Sequence, residues 1–344
     1  MCIHLKFKRG ENAASMAELL VVVVGTTDVS LIPGISIAGP SPEATHYTPA
    51  LDVEYLLTGR PKTLDVVPVT PDGIPTPAVV TRALTGDLPK LVVDAGSRIP
   101  PKIPRVVLGG VPGGDIRRGA MPREAAEEVA ANGRLLGRQL ARWGRVAIGE
   151  SIPGGTTTAM AILLALGYDA WGRTSSASPD NPKELKARVV KEALARVKPP
   201  LDAVTAASEV GDPVHLAVAS IALGVAEGGG EVVLAGGTQM AAAAALYKAL
   251  GGDVERLAVA TTRWILEDKS ADFLGLMREV GVRRVYASRS SFGGSRCRGL
   301  RAYDRGYVKE GVAMGYALWR AESSGVDPLP QVEAELERLG KCYT

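Results

Sequence analysis

The sequence predicts an α/β fold: a doubly wound, mostly parallel, Rossmann-like sheet with helices on both faces, plus a small helical part. Short β-branched runs alternate along the chain with segments of helical periodicity, an order that favours a parallel sheet. The strand candidates are apolar throughout, as expected for strands that are covered on both faces. With 344 residues, the chain is long enough to bury a substantial core.

Seven strands and eight helices are predicted. The strand candidates span residues 19–24, 91–94, 105–108, 146–148, 231–234, 257–260 and 284–287. The helix candidates span residues 122–143, 157–166, 182–197, 215–226, 240–250, 271–280, 307–321 and 331–339. Pro122 and Pro182 stand where a helix can begin, and Gly144, Gly167 and Gly251 stand where left-handed caps end helices. Residues 30–80 are rich in Pro, Gly and Thr with weak periodicity, which predicts loops and short elements.

The composition excludes several classes of protein. There are 40 Lys and Arg residues against 37 Asp and Glu, a net charge of +3, with 46% hydrophobic and 22% charged residues. This is a globular balance, and it gives no global reason to expect nucleic acid or an anionic membrane as a partner. No apolar run approaches the roughly 18 residues that span a bilayer, and residues 1–16 have no apolar leader core. We therefore expect a cytoplasmic protein.

The metal-ligating residue types are sparse. The three cysteines, Cys2, Cys297 and Cys342, are odd in number, scattered and without CxxC spacing. This pattern argues against a disulfide framework and against a zinc site. With only 3 histidines in the chain, a His-rich metal site is not expected either.

The segment GESIPGGTTT, residues 149–158, lies between a predicted strand and a predicted helix. Gly154 and Gly155 allow a tight turn with free N–H groups, and Thr156 and Thr157 open the helix, where the dipole favours an anion. No Gly-Lys-Ser/Thr follows, so the segment is not a Walker A loop. It is either a phosphate-binding turn or a plain strand-to-helix connection.

Three further positions have a functional and a structural interpretation. Lys186, in the helix entered at residues 181–182, either contacts a ligand or is solvated. The pair Gly236–Gly237 either admits a ligand close to the backbone or simply joins a strand to a helix. Glu310 precedes an apolar helix rich in Ala, Gly and Met, where it either serves as a base with a raised pKa or stabilises the helix N-terminus.

A basic run lies near the C-terminal end, interrupted by serines and glycines. Its members are Arg283, Arg284, Arg289, Arg296, Arg298, Arg301 and Arg305. Such a run either binds phosphates or RNA, or forms a solvated face with local ion pairs.

Taken together and in this order, these segments resemble the nicotinate-nucleotide–dimethylbenzimidazole phosphoribosyltransferase family, especially its archaeal-type branch. The stretch from GGDIRRGAMPREAAEEVAANG to GESIPGGTTTA is similar to the family's G-x-G-N-I…M…GEMGIGNTTAA block. SSASPDNPKELKARVV resembles its G-x-G…K-x-x-V-V segment, and EVVLAGGTQMAAAAAL resembles V-L-x-D-G-F-x-x-x-A-A-A-L. SRSS and KEGVAMGYAL resemble S-H-x-S and L-G-E-G-x-G-A-A-L-A. The similarity runs from about residue 113 to residue 321.

The resemblance implies phosphoribosyl transfer from nicotinate mononucleotide to a benzimidazole-type base, within the synthesis of the lower ligand of cobamides. It places the general base on Glu310. The implied substrate- and phosphate-binding residues are Glu150, Gly154, Gly155, Thr156, Thr157, Ser175, Lys186, Gly236, Gly237, Ser291 and Gly311. It also implies a homodimer whose partners are small molecules, with no cofactor and no metal. On this interpretation residues 1–344 form one phosphoribosyltransferase-like domain, with a divergent part over 1–110 and a C-terminal helical segment over 322–344.

The sequence departs from the family pattern at several points. The family's Asp before the glycine pair is Ala235 here, and its Asn before the two threonines is Gly155. The bacterial D-H-G-V segment, which helps to form the base pocket, has no clear match. Two other functions therefore stay open: a non-catalytic nucleotide-phosphate binder on the same fold, and an RNA-binding protein that uses the basic run from Arg283 to Arg305.

Overall fold

A seven-stranded parallel sheet forms the centre of the molecule. The computed structural model describes residues 17–70 and 73–342. The strands are β1 Glu18–Gly25, β2 Lys90–Gly96, β3 Val106–Val107, β4 Arg145–Ser151, β5 Glu231–Ala235, β6 Leu257–Thr261 and β7 Arg284–Ala287. Their spatial order is β3-β2-β1-β4-β5-β6-β7, and all neighbours are parallel. The predicted doubly wound α/β fold and all seven predicted strands are confirmed.

The chain reverses its direction of travel across the sheet between β1 and β4. Val21 of β1 pairs with Leu91 of β2 on one side and with Ile148 of β4 on the other. From β1 the chain builds outward to β3, then returns to β4 and builds outward to β7. Ligands of such folds bind at the carboxyl ends of the strands beside this reversal, so the edge formed by the ends of β1 and β4 is the first place to look for a site.

Twelve α-helices accompany the sheet in the part of the chain that the structure describes. They are α1 Thr48–Thr58, α2 Pro77–Leu84, α3 Arg123–Leu140, α4 Gly155–Ala165, α5 Lys183–Leu194, α6 Ala203–Val210, α7 Pro213–Glu227, α8 Gln239–Ala249, α9 Arg263–Leu266, α10 Phe273–Val280, α11 Met314–Ser323 and α12 Pro328–Arg338. Gly144, Gly167 and Gly251 have φ values of 82°, 92° and 94°, the left-handed conformation that their positions after helices predict.

Two hydrophobic layers cover the two faces of the sheet. In β1, Leu19, Val21 and Val23 point into one layer and Leu20, Val22 and Val24 into the other. The first layer is completed by α3 to α8 and α10, and the second by α1, α2, α11 and α12. Both layers bury apolar surface against the same strands, which explains why the strand sequences are apolar without alternation.

The expectation of loops over residues 30–80 is wrong in part, because α1 lies within this segment and α2 begins in it. Helix α1 buries two acidic residues, Asp52 and Glu54, which disrupt its apolar periodicity. The Glu54 carboxylate accepts hydrogen bonds from the backbone N–H groups of Lys62, Thr63 and Lys102 at 2.6–2.7 Å. It thus satisfies loop amides that otherwise would be buried without a partner. Helices α6 and α9 were also not predicted.

The helix predicted over residues 307–321 begins later, at Met314. The preceding residues form an irregular segment in which Val308, Lys309, Val312 and Ala313 have φ values between 51° and 65°. A helix cannot include residues in this left-handed region.

The cysteine expectation also needs correction, since Cys297 and Cys342 form a disulfide. Docking of α12 brings them together: Glu333 accepts hydrogen bonds from the Ser295 hydroxyl at 2.7 Å and the Arg296 N–H at 2.8 Å. This contact depends on tertiary packing across 45 residues, which cysteine spacing alone does not show. Cys2 and the leader prediction fall in residues 1–16, outside the described residues. Within the described ranges, none of the helices has the length and apolarity to cross a membrane.

Candidate active site at the carboxyl edge of the sheet

The end of β4 carries two of the predicted features, a buried glutamate and a glycine turn. Glu150 and Ser151 close the strand, and the turn at residues 152–154 enters α4 at Gly155. Gly154 has a φ of 80°, and a Cβ on Gly155 would lie 2.0 Å from Gln239 Oε1. Gly154 is therefore favoured by its backbone conformation, and a side chain at Gly155 would displace the Gln239 amide.

The donors of this turn are partly engaged. The Gly155 N–H donates to Ile152 O at 3.2 Å, and the Thr157 N–H donates to Gly154 O at 2.9 Å. The Thr157 hydroxyl is enclosed and has no hydrogen-bond partner among the described residues, whereas Thr156 is only half-buried. The turn thus offers the Thr157 hydroxyl at the N-terminus of α4, where a negative charge is stabilised.

Glu310 lies on a strap, residues 307–313, that crosses the end of β4. The Val312 N–H donates to Glu150 O at 2.9 Å, and a Cβ on Gly149 would lie 2.6 Å from Ala313 Cβ. The Thr81 hydroxyl of α2 donates to Val312 O at 2.8 Å, which ties the strap to the second helical layer. The sequence-predicted Glu150 and Glu310, 160 positions apart, are therefore brought to the same edge.

The strap is held in a strained conformation. Its four left-handed non-glycine residues each cost about 1–2 kcal/mol relative to ordinary backbone conformations. Hydrogen bonds from neighbouring elements hold it there, including Thr262 Oγ1 to Lys309 O at 2.7 Å and the Val308 N–H to Ala177 O at 2.8 Å. Backbone strain of this kind concentrates at functional sites, where the surrounding structure fixes the position of a reactive group.

The Glu310 carboxyl group has one satisfied oxygen and one unsatisfied oxygen. Oε1 accepts from the Gly315 N–H at 2.9 Å and from the Gly311 N–H at 3.2 Å. Oε2 is enclosed without a partner among the described residues. Burial raises the pKa of Glu310 to about 8, the two backbone N–H groups oppose that rise, and the nearby Glu150 adds to it. An enclosed carboxyl group with a pKa near neutrality and a free oxygen is suited to accept a proton.

Glu150 is fully buried beside this group. Its Oε1 accepts from Gln239 Nε2 at 3.0 Å and its Oε2 from the Ile152 N–H at 3.0 Å. Burial raises the pKa of Glu150 to about 7, although the charge of His215 acts in the opposite direction. The site therefore contains two carboxyl groups that gain or lose protons near neutral pH.

A second group of predicted residues surrounds Ser175. The Ser175 N–H donates to Thr238 Oγ1 at 2.9 Å, and its hydroxyl donates to Asp268 Oδ2 at 2.8 Å. Lys186 is buried, and its ammonium donates to Ser175 O at 2.8 Å and to Thr174 O at 3.2 Å. Burial lowers the pKa of Lys186 to about 7. Lys186 thus holds the Ser175 loop and keeps one of its three donor hydrogens for another partner.

The structure links this group to the strap. Lys309, next to Glu310 in sequence, pairs through its Nζ with Asp268 Oδ2 at 2.9 Å, and both side chains are almost fully buried. The same Asp268 oxygen accepts from Ser175. The Ser175 loop and the Glu310 strap are therefore fixed to each other by one carboxylate.

The remaining predicted residues divide between the site and the surface. A Cβ on Gly237 would lie 3.6 Å from Glu310 Cβ, and Gly236 donates its N–H to Ala260 O at 3.0 Å, so the glycine pair lies beside Glu310. Gly311 is part of the strap. Ser291 is exposed and donates from Oγ to Asp304 Oδ1 at 3.0 Å, so its contacts do not lead to Glu310.

Several buried polar residues of the site were not predicted. Asp52 of α1 accepts from the Ser151 hydroxyl at 2.8 Å, and burial raises its pKa to about 7. Behind Glu150, Asp212 pairs with His215 at the start of α7. The Asp-Pro pair at residues 212–213 is an N-terminal helix signal that could have identified the cap, but no sequence signal places it near Glu150.

Other features bear on the alternatives. Two arginines of the basic run form local ion pairs: Arg283 with Glu255 at 3.4 Å, and Arg296 with Glu333 at 3.0 Å and Glu337 at 2.8 Å. This favours the interpretation as an ion-paired face. Across residues 17–70 and 73–342, no group of three or more His, Cys, Asp or Glu residues is placed to hold a metal ion.

Comparison with known proteins adds to this geometry. A family model described as Phosphoribosyltransferase matches residues 76–264. A UPF0284 protein of Pyrobaculum calidifontis is 70% identical over 322 residues, covering 93% of this chain and 96% of the relative. A UPF0284 protein of Saccharolobus solfataricus is 52% identical over 311 residues, covering 89% and 88%.

Among solved structures, the nicotinate-nucleotide–dimethylbenzimidazole phosphoribosyltransferase of Thermus thermophilus shares the fold. It has a TM-score of 0.63 at 20% identity and covers 95% of this chain and 86% of that chain. The fold and the family match place this chain in the phosphoribosyltransferase class. Within that class, it belongs to the nicotinate-nucleotide–dimethylbenzimidazole phosphoribosyltransferase family, as the sequence resemblance predicts.

Proposed function

We propose that this protein transfers the phosphoribosyl group of nicotinate mononucleotide to a benzimidazole-type base, releasing nicotinate and an α-riboside 5′-phosphate for cobamide synthesis. The single observation that carries the proposal is the Glu310 carboxyl group, enclosed on a strained strap with an unpartnered Oε2 and a pKa near neutrality. An isolated helix-capping glutamate has its carboxylate satisfied and needs no such environment.

The chemistry makes limited demands on the protein. A ring nitrogen of the base attacks C1′ of the ribose, and the C1′–N bond to the cationic pyridinium breaks, so that its electron pair stays on nicotinate. The attack leaves a positive charge on the ring of the base, and the proton carried by its other ring nitrogen passes to Glu310 Oε2. Such proton transfer contributes about 10²–10⁴ in rate, and positioning contributes the rest. Displacement from the face opposite nicotinate inverts the configuration at C1′.

We assign to Glu150 the role of stabilising the positive charge that develops on the ribose. The transition state of glycosyl transfer has oxocarbenium character, and a nearby carboxylate stabilises it. Glu150 is fixed by two hydrogen bonds at the end of β4, which suits it to a fixed electrostatic role. The strap that carries Glu310 is bonded to the Glu150 carbonyl, so the base and this carboxylate keep a constant relation.

The 5′-phosphate is assigned to the turn at Gly154–Thr157 and to Lys186. The Thr157 hydroxyl lacks a partner among the described residues, and the N-terminus of α4 stabilises an anion. Lys186 retains one donor hydrogen beside Ser175. Burial lowers the pKa of Lys186, and the negative charge of a bound phosphate would favour its protonated form.

The test is to incubate the purified protein with nicotinate mononucleotide and 5,6-dimethylbenzimidazole, and to follow nicotinate release and riboside phosphate formation by chromatography and mass spectrometry. Stoichiometric formation of both products supports the proposal. Tight binding of nicotinate mononucleotide with no product from any benzimidazole, phenol or adenine acceptor would contradict it and favour a non-catalytic nucleotide binder.

A further inference from the structure

A buried series of polar side chains lies behind Glu150, and the reaction as proposed above does not use it. It begins at Asp212, the N-cap of α7, whose Oδ1 accepts from the N–H groups of Val214 and His215 at 2.9 Å each. The other oxygen, Oδ2, accepts from the Thr158 hydroxyl at 2.6 Å and contacts His215 Nδ1. The side chains of Asp212 and His215 have no exposed surface.

The series continues from the imidazole toward the site. Gln239, the first residue of α8, lies close enough to His215 to stabilise its protonated form, and its Nε2 donates to Glu150 Oε1 at 3.0 Å. Within the described residues, His215 Nε2 and Gln239 Oε1 are both enclosed without a bond inside 3.5 Å. A hydrogen bond between these two atoms would complete a continuous path from Thr158 to Glu150.

The charges along the series are complementary. Burial alone would lower the pKa of His215, but the Asp212 carboxylate outweighs it, and the same pairing keeps the pKa of Asp212 below its usual value against the cost of burial. The contact with the Asp212 carboxylate therefore favours the protonated form of His215. Its charge lowers the pKa of Glu150, whereas burial and the carboxyl groups of Asp212 and Asp52 raise it.

N-capping of α7 alone does not require the buried contacts that Asp212 makes with Thr158 and His215. Asp212 Oδ1 already satisfies the two free N–H groups of α7, so the contacts of Oδ2 to Thr158 and His215 are additional. Enclosing an imidazole and a carboxylate with no exposed surface carries a desolvation cost that an apolar pair would not. The Gln239 amide lies near His215 and donates to one group of the site, Glu150.

We infer that His215 is a positioning residue that acts through Gln239 to fix the orientation and the negative charge of Glu150, and that Asp212 and Thr158 hold the imidazole for this task. The inference rests on the proposed function, in which Glu150 faces the ribosyl cation. His215 touches neither substrate nor reacting atoms. It supplies positive charge that favours the ionised form of Glu150 beside three other buried carboxyl groups, those of Asp52, Asp212 and Glu310.

The main test is His215→Gln, which replaces the imidazole by an uncharged amide of similar reach. We expect kcat at neutral pH to fall by about tenfold, with the KM for nicotinate mononucleotide changed by less than about threefold, because the effect falls on the transition state. We expect the part of the acid limb that Glu150 sets to move to higher pH, since Glu150 loses its compensating cation.

Two further variants separate positioning from folding. Gln239→Met breaks the connection and leaves the buried Asp212–His215 pair intact, so we expect the same loss in kcat with little loss in thermal stability. Ser220→Ala is the matched control, because Ser220 is buried on the same helix and, among the described residues, its hydroxyl bonds only within α7, to Leu216 O at 2.7 Å. It should keep wild-type kcat.

The titration of Glu150 is also measured without turnover. In the protein labelled with ¹³C-glutamate, with Glu150→Gln used for assignment, the carboxyl resonance of Glu150 should titrate at a higher pH in His215→Gln than in the wild type. An unchanged titration together with wild-type kcat, or an activity loss that only follows reduced stability, would overturn the inference. If the wild type transfers no phosphoribosyl group, the proposed function fails, and the NMR titration still decides whether His215 sets the charge of Glu150.

Discussion

The two halves of the carboxyl edge differ in how completely their polar groups are satisfied. One half contains the carboxyl groups of Glu150 and Glu310, and we call it the carboxylate half. Its Glu310 has one oxygen enclosed without a partner among the described residues. The other half contains the ammonium groups of Lys186 and Lys309, and we call it the cationic half. Lys186 donates to two carbonyl groups, and Lys309 is paired with Asp268. The first half is thus prepared to exchange a proton with a ligand, whereas the second is largely a rigid support that offers a few donors. If this difference is functional, changes in the first half should affect kcat and changes in the second should affect substrate binding.

The largest expected effect comes from Glu310→Gln. The amide oxygen can still accept from the Gly315 N–H, so the fold should persist, but the group can no longer take a proton. We expect kcat to fall by about 10²–10⁴, with binding of nicotinate mononucleotide retained. Steady-state kinetics together with calorimetric titration measures both quantities, and a variant that turns over at the native rate would exclude Glu310 as the base.

A smaller loss should follow from Gly315→Ala. The added Cβ would lie 2.6 Å from Glu310 Oε2 and 2.5 Å from the Thr261 backbone, so the carboxyl group or the helix must shift. Because a misplaced base is a poor catalyst, we expect kcat to fall by about tenfold or more.

The matched control is Gly294→Ala, where the added Cβ has open space and the backbone is not left-handed. It should behave like the wild type in kcat and in melting temperature. Equal activity of the two alanine variants would show that the position of Glu310 is not critical.

In the cationic half, Lys186→Met should weaken binding more than turnover. Loss of a charge-assisted hydrogen bond to phosphate should raise the Kd of nicotinate mononucleotide about tenfold or more. Lys183→Met, on the exposed face of the same helix, should leave the Kd within about twofold. Calorimetry with nicotinate mononucleotide and with nicotinate riboside tests whether the phosphate is the group that Lys186 binds. The Kd of the mononucleotide should differ between Lys186→Met and the wild type, whereas the Kd of the riboside should not.

The smallest effect on activity is expected at the disulfide, which lies outside both halves. Cys342→Ser opens a link of 45 residues and should lower the free energy of unfolding by about 2–4 kcal/mol. The initial rate of transfer well below the melting temperature should be unchanged. A loss of activity in the folded variant would mean that docking of α12 reaches the site.

The frame of the site follows from the sequence, but its electrostatic details do not. Apolar runs and glycine-terminated helices gave the seven strands and most of the helices, and motif similarity gave Glu150 and Glu310. Helix α1 was not predicted because Asp52 and Glu54 are buried acids, which the periodicity of hydrophobic residues treats as exposed. The strap was predicted as a helix because its left-handed residues are Val, Lys and Ala, which give no sequence signal.

The neighbours of Glu150 show the same limit. Asp212 and His215 are close in sequence to each other, but they come near Glu150 only through the packing of α7 against β4 and of α8 against α7. Such contacts between distant segments depend on the tertiary fold. A single sequence indicates which residues have suitable chemistry, whereas the structure shows which of them meet.

The pH dependence of kcat/KM for nicotinate mononucleotide tests the central claim most directly, because it reports the ionisation of the free enzyme. Burial raises the pKa of Glu310 to about 8, and the base must be deprotonated to act. The rate constant should therefore rise with pH while Glu310 ionises, and it should fall again where Lys186, whose pKa burial lowers to about 7, loses the proton that binds the phosphate. Glu310→Gln should lack the part of the rise that Glu310 causes. A wild-type profile that is flat through this range, or a Glu310→Gln profile with the same rise, would contradict the assignment of Glu310 as the general base.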